Sequence, residues 1–124
     1  VWIDEEFGEK HYADLAQRRG EKVLKQMLAF MTTGPVLALC LEGVNAVENV
    51  RKMVGGTEPK TASPGTIRGD FAHVSFAYAD KKGKAIENLI HASGSVEEAN
   101  QEIALWFKPE ELHSYKTAQE AHVF

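Results

Sequence analysis

Residues 88–107 read NLIHASGSVEEANQEIALWF, and this stretch decides the expected fold around the best candidate for a reactive group, His91. The apolar residues before His91 predict a short strand that ends at the histidine. Ser95, with Glu98 three residues later, is typical of a capping box: the hydroxyl accepts from the Glu98 N–H, and the carboxylate reaches back to the Ser95 N–H. A helix is therefore expected soon after the strand, with His91 at the junction.

The helix predicted after Ser95 also brings a carboxylate near this junction. Its apolar residues follow helical spacing: Val96, Ala99, Ile103 and Trp106. Glu102 lies near the side that points back toward His91, so its carboxylate is placed to orient the imidazole. Imidazole is nucleophilic and largely unprotonated near neutral pH. A strand-end histidine is, however, more often structural than catalytic, so the local pattern leaves both interpretations open.

Length and composition describe an ordinary globular protein. The 124 residues suit one domain, with 44% hydrophobic residues, 26% charged residues and a net charge of -4. This acidic balance does not favour a specific nucleic-acid partner. No apolar stretch approaches the ~18 residues needed to span a bilayer, so no membrane association is expected. The single cysteine, Cys40, excludes an intrachain disulfide, and a reducing cytoplasmic location is predicted.

Three further helices are predicted before residue 60. Asp4 is a suitable N-cap for a helix from Glu5 to about Gln17, which Gly20 ends. A second helix is expected from Glu21 to about Thr32, before Gly34-Pro35. A third begins after Asn45, which forms a capping arrangement with Glu48, and closes at Gly55-Gly56.

The remaining segments predict strands and one long loop. Residues 36–41 form a short, continuously apolar run that is typical of a buried strand. Residues 74–78 alternate like a strand, and residues 89–90 add the short one before His91. The proline- and glycine-rich residues 57–70 are expected to form a loop, and loops of this length are usually functional. The pattern predicts an α+β sandwich with helices packed on a mostly antiparallel sheet.

Residues 88–107 resemble the catalytic segment of the nucleoside diphosphate kinase family. Further blocks that match this family in order are Gly34-Pro35-Val36, Glu42-Gly43, Asn45 to Arg51, Met53, Thr57, Pro59, Ser63 to Phe71, and Lys108 to Leu112. The resemblance covers roughly residues 11 to 112, with one loop that does not match. So many blocks in one order make chance similarity very improbable.

The resemblance implies the ferredoxin-like version of the α+β sandwich and a chain that is N-terminally incomplete. Members of the family carry an N-terminal strand with a Lys-Pro-Asp-Gly motif, then a helix, and nothing here corresponds to either. We therefore expect residues 1–124 to be a single domain that lacks this first strand and helix. The missing lysine would supply one of the phosphate-binding cations.

The resemblance also implies a set of site residues. His91 is implied as the residue that is phosphorylated, while Glu102, Ser93 and Tyr12 coincide with positions that support it. Family positions that contact the nucleotide are matched by Arg51, Thr57, Arg68 and Asn88. The two arginines suit this role because a guanidinium group offers a planar fork of donors to phosphate oxygens.

The function implied is transfer of the terminal phosphoryl group from a nucleoside triphosphate to a nucleoside diphosphate, by a ping-pong mechanism through phospho-His91. Mg²⁺ is expected on the nucleotide phosphates, and a homo-oligomer, with a hexamer favoured, is the expected assembly. The alternative is a non-catalytic nucleotide-binding or scaffold member of the same fold. Retention of His91 with Glu102, Arg51 and Arg68 favours the enzyme, because a scaffold has no need of this set.

The other histidines match no catalytic position of the family: His11, His73, His113 and His122. No pair among them has the spacing and neighbours typical of a zinc site, so no protein-held metal is predicted. The sequence also departs from the family in two places. Val23 and Met27 stand on the helix where members usually carry a base-stacking aromatic residue, and residues 77–87 are longer than the usual connection.

Overall fold

Helices provide the regular structure of residues 1–123, the part of the chain that the computed structural model describes. The α-helices, in chain order, are α1 (Glu5–His11), α2 (Leu15–Arg19), α3 (Glu21–Met31), α4 (Ala46–Val54), α5 (Ile67–Phe71), α6 (Phe76–Lys81), α7 (Val96–Trp106) and α8 (Glu120–Val123). Two short 3-10 helices lie at Pro59–Thr61 and Pro109–Glu111. Within the same residues, no helix is both long enough and apolar enough to cross a membrane.

The predicted α+β, ferredoxin-like sandwich is wrong for the observed structure, because residues 1–123 contain no β-strand. The three predicted strands at 36–41, 74–78 and 89–90 are all absent. A strand requires a hydrogen-bonded neighbour along its length. An apolar pattern therefore shows that a segment is suited to a strand, but it does not show whether a second strand is available to pair with it.

Residues 36–41 show this difference directly. Val1 and Val36 exchange backbone hydrogen bonds, with N···O distances of 2.8 and 2.7 Å. This is the only backbone partner of the segment within residues 1–123, and it is not enough for a ladder. Leu37 and Leu39 are 83% and 66% exposed, so the run is not the buried strand that its apolar character predicts.

Residues 74–78 differ from the prediction for another reason. Ser75 caps a helix: its hydroxyl accepts a hydrogen bond from the Tyr78 N–H at 3.1 Å, and α6 begins at the next residue. The helix N-cap therefore determines the structure of this segment, despite the alternating apolar pattern. Ala79 is the buried residue of α6.

The predicted loop at 57–70 holds two helical turns. The 3-10 helix at Pro59–Thr61 lies within it, and α5 begins near its end. Thr66 caps α5 by accepting from the Gly69 N–H at 3.0 Å. Proline and glycine therefore limit the length of the elements here without preventing them.

The predicted helices are confirmed with adjusted bounds. Asp4 caps α1 through the Phe7 N–H at 2.8 Å, but the expected helix from 5 to 17 divides into α1 and α2. Asn45 adopts a left-handed backbone, with φ of 51°, and its side chain makes no cap bond, so the predicted capping arrangement with Glu48 is wrong. Ser95 caps α7 as predicted, although the Glu98 carboxylate accepts from the Gly94 N–H instead of the Ser95 N–H.

Packing of α1 against α3 and α7 holds the N-terminal helices to the segment after His91. Phe7 on α1 meets Trp106 on α7 edge to face, with ring centroids 4.8 Å apart. The buried apolar residues are few: Ile3, Leu15, Leu28, Val54, Ala79 and Ala85. Polar contacts therefore have a large share in fixing the segments around the site.

Gly69 is a position where the fold has no room for a side chain. A Cβ atom there would lie 2.0 Å from the Ser63 carbonyl oxygen, and a backbone atom cannot move away by changing rotamer. We expect Gly69→Ala to lower the free energy of unfolding by about 1–3 kcal/mol, measured by urea denaturation. Gly43→Ala is the control, because a Cβ atom at that position would meet nothing within 4 Å, and its effect should be within about 0.5 kcal/mol. Equal stability of the two variants would contradict this packing.

Candidate active site

A carboxylate joins His91 to α7. His91 Nε2 lies 2.8 Å from Glu102 Oε1, and the Ser93 hydroxyl donates to the other oxygen, Oε2. The His91 side chain is 47% exposed, whereas that of Glu102 is 18% exposed. The structure thus brings together three of the predicted catalytic residues around one carboxylate.

The hydrogen bond to Glu102 assigns different roles to the two imidazole nitrogens of His91. An ionised carboxylate only accepts hydrogen bonds, so Nε2 carries the hydrogen and donates it. In the neutral ring, Nδ1 then keeps its lone pair. This nitrogen is the nucleophile that the arrangement provides.

Opposing effects set the ionisation of Glu102. Burial raises the pKa of this carboxyl, but hydrogen bonds from Ser93 and His91, together with electrostatic interactions with the His91 and His11 rings, lower it by more. The net pKa lies below the usual value of 4.5. Glu102 is therefore a carboxylate throughout the neutral range and serves as a permanent acceptor.

His11 is a site residue that sequence reasoning missed. It ends α1, its side chain is 4% exposed, and its Nε2 lies 3.9 Å from Glu102 Oε1. Its ring meets that of His91 edge to face, with centroids 5.1 Å apart. Burial, and then the charge of His91, lower its pKa below 6.5. No sequence signal reveals it, because the contact depends on how α1 packs against α7.

Tyr12 is the fourth predicted catalytic residue, and it lies beside His11. Their ring centroids are 4.7 Å apart in an edge-to-face arrangement. Burial, together with the negative charge of Glu102, raises the pKa of the phenol, so it stays protonated. Tyr12 thus borders the cluster formed by His91, Glu102 and Ser93.

Arg51 lies at the edge of this cluster. It projects from the last turn of α4, and its Nη1 atom donates to the carbonyls of Ala92 and Ser93 at 3.3 and 3.5 Å. These are long contacts of an exposed side chain, so the guanidinium keeps donors available for a ligand. The structure therefore places Arg51, the predicted phosphate ligand, against the segment that follows His91.

Arg68 is held more firmly than Arg51. Only 7% of the residue is exposed, and its Nη1 and Nη2 atoms donate to the carbonyls of Gly55 and Ile90 at 3.1 and 2.8 Å. Burial, and then the positive charge of Arg51, lower the pKa of this guanidinium. Arg68 thus connects the end of α4 to the residue immediately before His91.

The other two predicted nucleotide-binding residues also contact each other. Asn88 Nδ2 donates to the Thr57 carbonyl at 2.9 Å, which joins the loop after α4 to the segment leading to His91. The buried Asn88 Oδ1 atom has no hydrogen-bond partner within residues 1–123. Thr57 itself is exposed.

The site as a whole has the parts of a phosphoryl-transfer centre: an oriented imidazole with a free nitrogen, and guanidinium groups close to it. Comparison with known proteins indicates which family of phosphoryl-transfer proteins the chain resembles. The family profile described as "Nucleoside diphosphate kinase" matches residues 1–112.

Curated relatives agree with this match. A nucleoside diphosphate kinase of Borreliella burgdorferi is 45% identical over 120 residues, which are 95% of this chain and 72% of the relative. One from Pyrococcus furiosus is 47% identical over 115 residues, which are 93% of this chain and 65% of the relative. The chain thus spans about two thirds of the length of these relatives.

Solved structures match the path of the chain. A transition-state mimic of nucleoside-diphosphate kinase from Borrelia burgdorferi, with bound vanadate and ADP, has a TM-score of 0.93 at 43% identity, over 99% of this chain and 74% of that one. A halophilic nucleoside diphosphate kinase from Halobacterium salinarum, in complex with CDP, has a TM-score of 0.82 at 34% identity, over 100% and 74% of the two chains.

The chain belongs to the nucleoside diphosphate kinase family, whose members are phosphotransferases. The family predicted from the residues around His91 is therefore confirmed, and so is the prediction of an enzyme.

The two arginines should differ in their importance for stability. Arg68→Ala removes a buried cation that bonds to two carbonyls, and leaving such groups unsatisfied costs about 1–3 kcal/mol each. We expect this variant to lose about 2–4 kcal/mol of unfolding free energy in urea denaturation. Arg51→Ala is the matched control, because its side chain is exposed, and it should lose less than about 0.5 kcal/mol. Similar losses for both would refute the structural role of Arg68.

His11 should make the protein less stable as the pH falls. Its folded-state pKa lies below 6.5, so the unfolded chain binds the proton more readily below neutral pH. Stability is therefore lost as the pH falls through 6.5, whereas the contribution of Glu102 is lost only below its usual value of 4.5. We expect the urea midpoint to fall less steeply from pH 7 to pH 5 in His11→Gln than in the wild type. His113→Gln changes an exposed histidine and should retain the wild-type slope, and an unchanged slope in His11→Gln would contradict this linkage.

Proposed function

We propose that this protein transfers the terminal phosphoryl group of a nucleoside triphosphate to a nucleoside diphosphate through a phosphohistidine at His91. The observation that supports this most strongly is the contact of 2.8 Å between His91 Nε2 and Glu102, which leaves Nδ1 as the free nucleophile. Membership of the nucleoside diphosphate kinase family supplies the reaction class.

In the first half-reaction, His91 Nδ1 attacks the terminal phosphorus of the triphosphate. The new P–N bond forms as the bond to the bridging oxygen breaks, and the diphosphate leaves with that electron pair. Positive charge develops on the imidazole as it is phosphorylated, and Glu102 stabilises it through the Nε2–H. In the second half-reaction, a terminal oxygen of another diphosphate attacks the phosphorus and the P–N bond breaks. Both nucleotides use the same site in turn, so the kinetics are ping-pong.

Ser93 and Tyr12 serve the nucleophile through its carboxylate. Ser93 donates to Glu102 Oε2, which leaves Oε1 directed at His91. Tyr12 lies beside His11 as a neutral phenol, and the negative charge of Glu102 helps to keep it protonated. Fixing the imidazole before the nucleotide arrives reduces the entropic part of the barrier.

Arg51 and Arg68 act on the phosphates in different ways. Arg51 is exposed next to the segment that carries His91, and we expect it to donate directly to phosphate oxygens. Arg68 contributes positive charge from a buried position and keeps Ile90 in place. Thr57 and Asn88 form the adjoining part of the nucleotide site, where the contact between them orders the loop.

Mg²⁺ enters this proposal as part of the substrate. The cluster formed by His11, His91 and Glu102 offers two nitrogens and one carboxylate, whereas Mg²⁺ prefers an octahedron of oxygens. Phosphate oxygens and water supply that octahedron, so the metal is expected to arrive on the nucleotide. There it neutralises phosphate charge, and the residues of this chain bind and orient the reacting groups.

We also propose a homo-oligomer, with a hexamer favoured, in the cytoplasm. Large exposed apolar side chains, such as Leu37 and Leu39, support a surface that is covered by another chain. The exposed, unpaired Cys40 supports a reducing environment.

Phosphorylation of His91 tests the function directly. We expect incubation with ATP and Mg²⁺ to add one acid-labile, alkali-stable phosphoryl group to the His91 peptide, detected by mass spectrometry, and a second diphosphate to remove it. His91→Ala should abolish the modification, since no other group replaces the nucleophile. His113→Ala, which changes an exposed histidine that is not one of the cluster residues, is the matched control.

An unphosphorylated wild type that binds nucleotides would support the non-catalytic alternative instead. Phosphotransfer at the wild-type rate by His91→Ala would assign the nucleophile elsewhere.

A further inference from the structure

Trp106 fixes the state of the buried histidine beside the nucleophile. The indole Nε1–H donates to His11 Nδ1 at 3.0 Å. An indole N–H has no acceptor capacity, so Nδ1 must present its lone pair to it. In the neutral ring, the hydrogen of His11 is then on Nε2.

The indole donor also disfavours a positively charged His11 ring. A doubly protonated His11 would direct an Nδ1–H at the indole N–H, and the hydrogen bond would be lost. The ring is almost fully buried, so the charged form would also lose its hydration. Trp106 and burial therefore both keep His11 neutral.

The Nε2–H of His11 faces the carboxylate that orients the nucleophile. Nε2 lies 3.9 Å from Glu102 Oε1, the same oxygen that His91 approaches to 2.8 Å. This distance is too long for a direct hydrogen bond. The N–H therefore acts on the carboxylate as a dipole, and the His11 ring limits the space in which the carboxylate can move. The His11 and His91 rings also meet edge to face, which limits rotation of the His91 ring.

A metal site is the competing interpretation of the same three residues. One ligand atom from each of His11, His91 and Glu102 lies within 4.8 Å of the others. Ligation through His11 Nε2 would require a lone pair on that atom and would move the hydrogen to Nδ1, against the indole N–H. The Trp106 donor therefore opposes metal binding and favours a neutral spacer.

We infer that His11, held by Trp106 as the neutral Nε2–H tautomer, is a positioning residue that braces Glu102 and the ring of His91 for phosphoryl transfer. The inference rests on the proposed function of His91. We assign no nucleotide contact to His11, because its side chain is 4% exposed, whereas that of His91 is 47% exposed. The groups that face it are His91, Glu102, Tyr12 and Trp106.

Two substitutions separate the two nitrogens of His11. His11→Asn places an amide oxygen near the position of Nδ1, so the bond from Trp106 is kept and the group facing Glu102 is lost. His11→Gln places an amide near the position of Nε2, so a donor toward Glu102 is kept and the acceptor for Trp106 is lost.

We expect His11→Asn to lower the rate of His91 phosphorylation by about tenfold or more, with KM for the nucleotide within about twofold of wild type, because a small misplacement of a reacting group is costly. His11→Gln should recover part of that rate. Nitrogen-15 NMR of the free wild-type protein should show the Nε2–H tautomer for His11. In His11→Asn, the His91 spectrum should show an increased share of its Nδ1–H tautomer.

Three results would overturn the inference. One is an Nδ1–H tautomer at His11 in the wild type. Another is a wild-type phosphorylation rate in His11→Asn, even if its melting temperature falls, since that would make the role structural only. The third is stoichiometric binding of Zn²⁺, added alone, that disappears in His11→Asn, since that would make the cluster a metal site. If the wild type forms no phosphohistidine, the proposed function itself is refuted. If the wild type is phosphorylated and His11→Asn is phosphorylated at the same rate, only the role of His11 is refuted.

Discussion

The carboxylate of Glu102 is the interaction on which the site depends. It accepts from Ser93 and His91, which belong to the segment before α7, while Glu102 itself lies on α7. His11 at the end of α1 faces the same carboxylate, so three parts of the chain meet at one charged group. A partly buried anion requires donors, and the hydrogen bond from His91 that helps to satisfy it also orients the imidazole.

Backbone carbonyls provide the second constraint, through Arg68. Its two hydrogen bonds join Gly55, which ends α4, to Ile90, which precedes His91. Arg51 projects from that same helix, so the position of the exposed cation and the position of His91 are coupled. Removing water from a guanidinium is unfavourable unless donors find acceptors, and here the acceptors are those that fix the geometry of the site.

Much of the site was predictable because it is local or because it carries a family pattern. Ser95 fixes where α7 begins, and Glu102 lies on this helix, eleven residues after His91. The helical period then directs the Glu102 side chain back toward the histidine. His11 was not predictable, because its relation to Glu102 comes from packing of α1 on α7. The prediction of strands was wrong for a similar reason. Residues 36–41 have a strand-like composition, but a strand also needs a second strand to pair with, and the local sequence does not show whether one is present. At 74–78, the Ser75 cap outweighed the alternation.

Few buried apolar residues surround a site that is held mainly by polar contacts, and this affects how stability and reactivity are related. Three polar contacts around His91 each have one partner on a helix and the other on an irregular segment: Arg51 with Ala92, Arg68 with Ile90, and Glu102 with Ser93. An irregular segment has no ladder of its own to hold it, so its order depends on these partners. The two arginines and Glu102 therefore hold the segment that carries His91. The exposed Arg51 makes the weakest of these contacts, so it can exchange a carbonyl for a phosphate oxygen with the least disturbance of the rest.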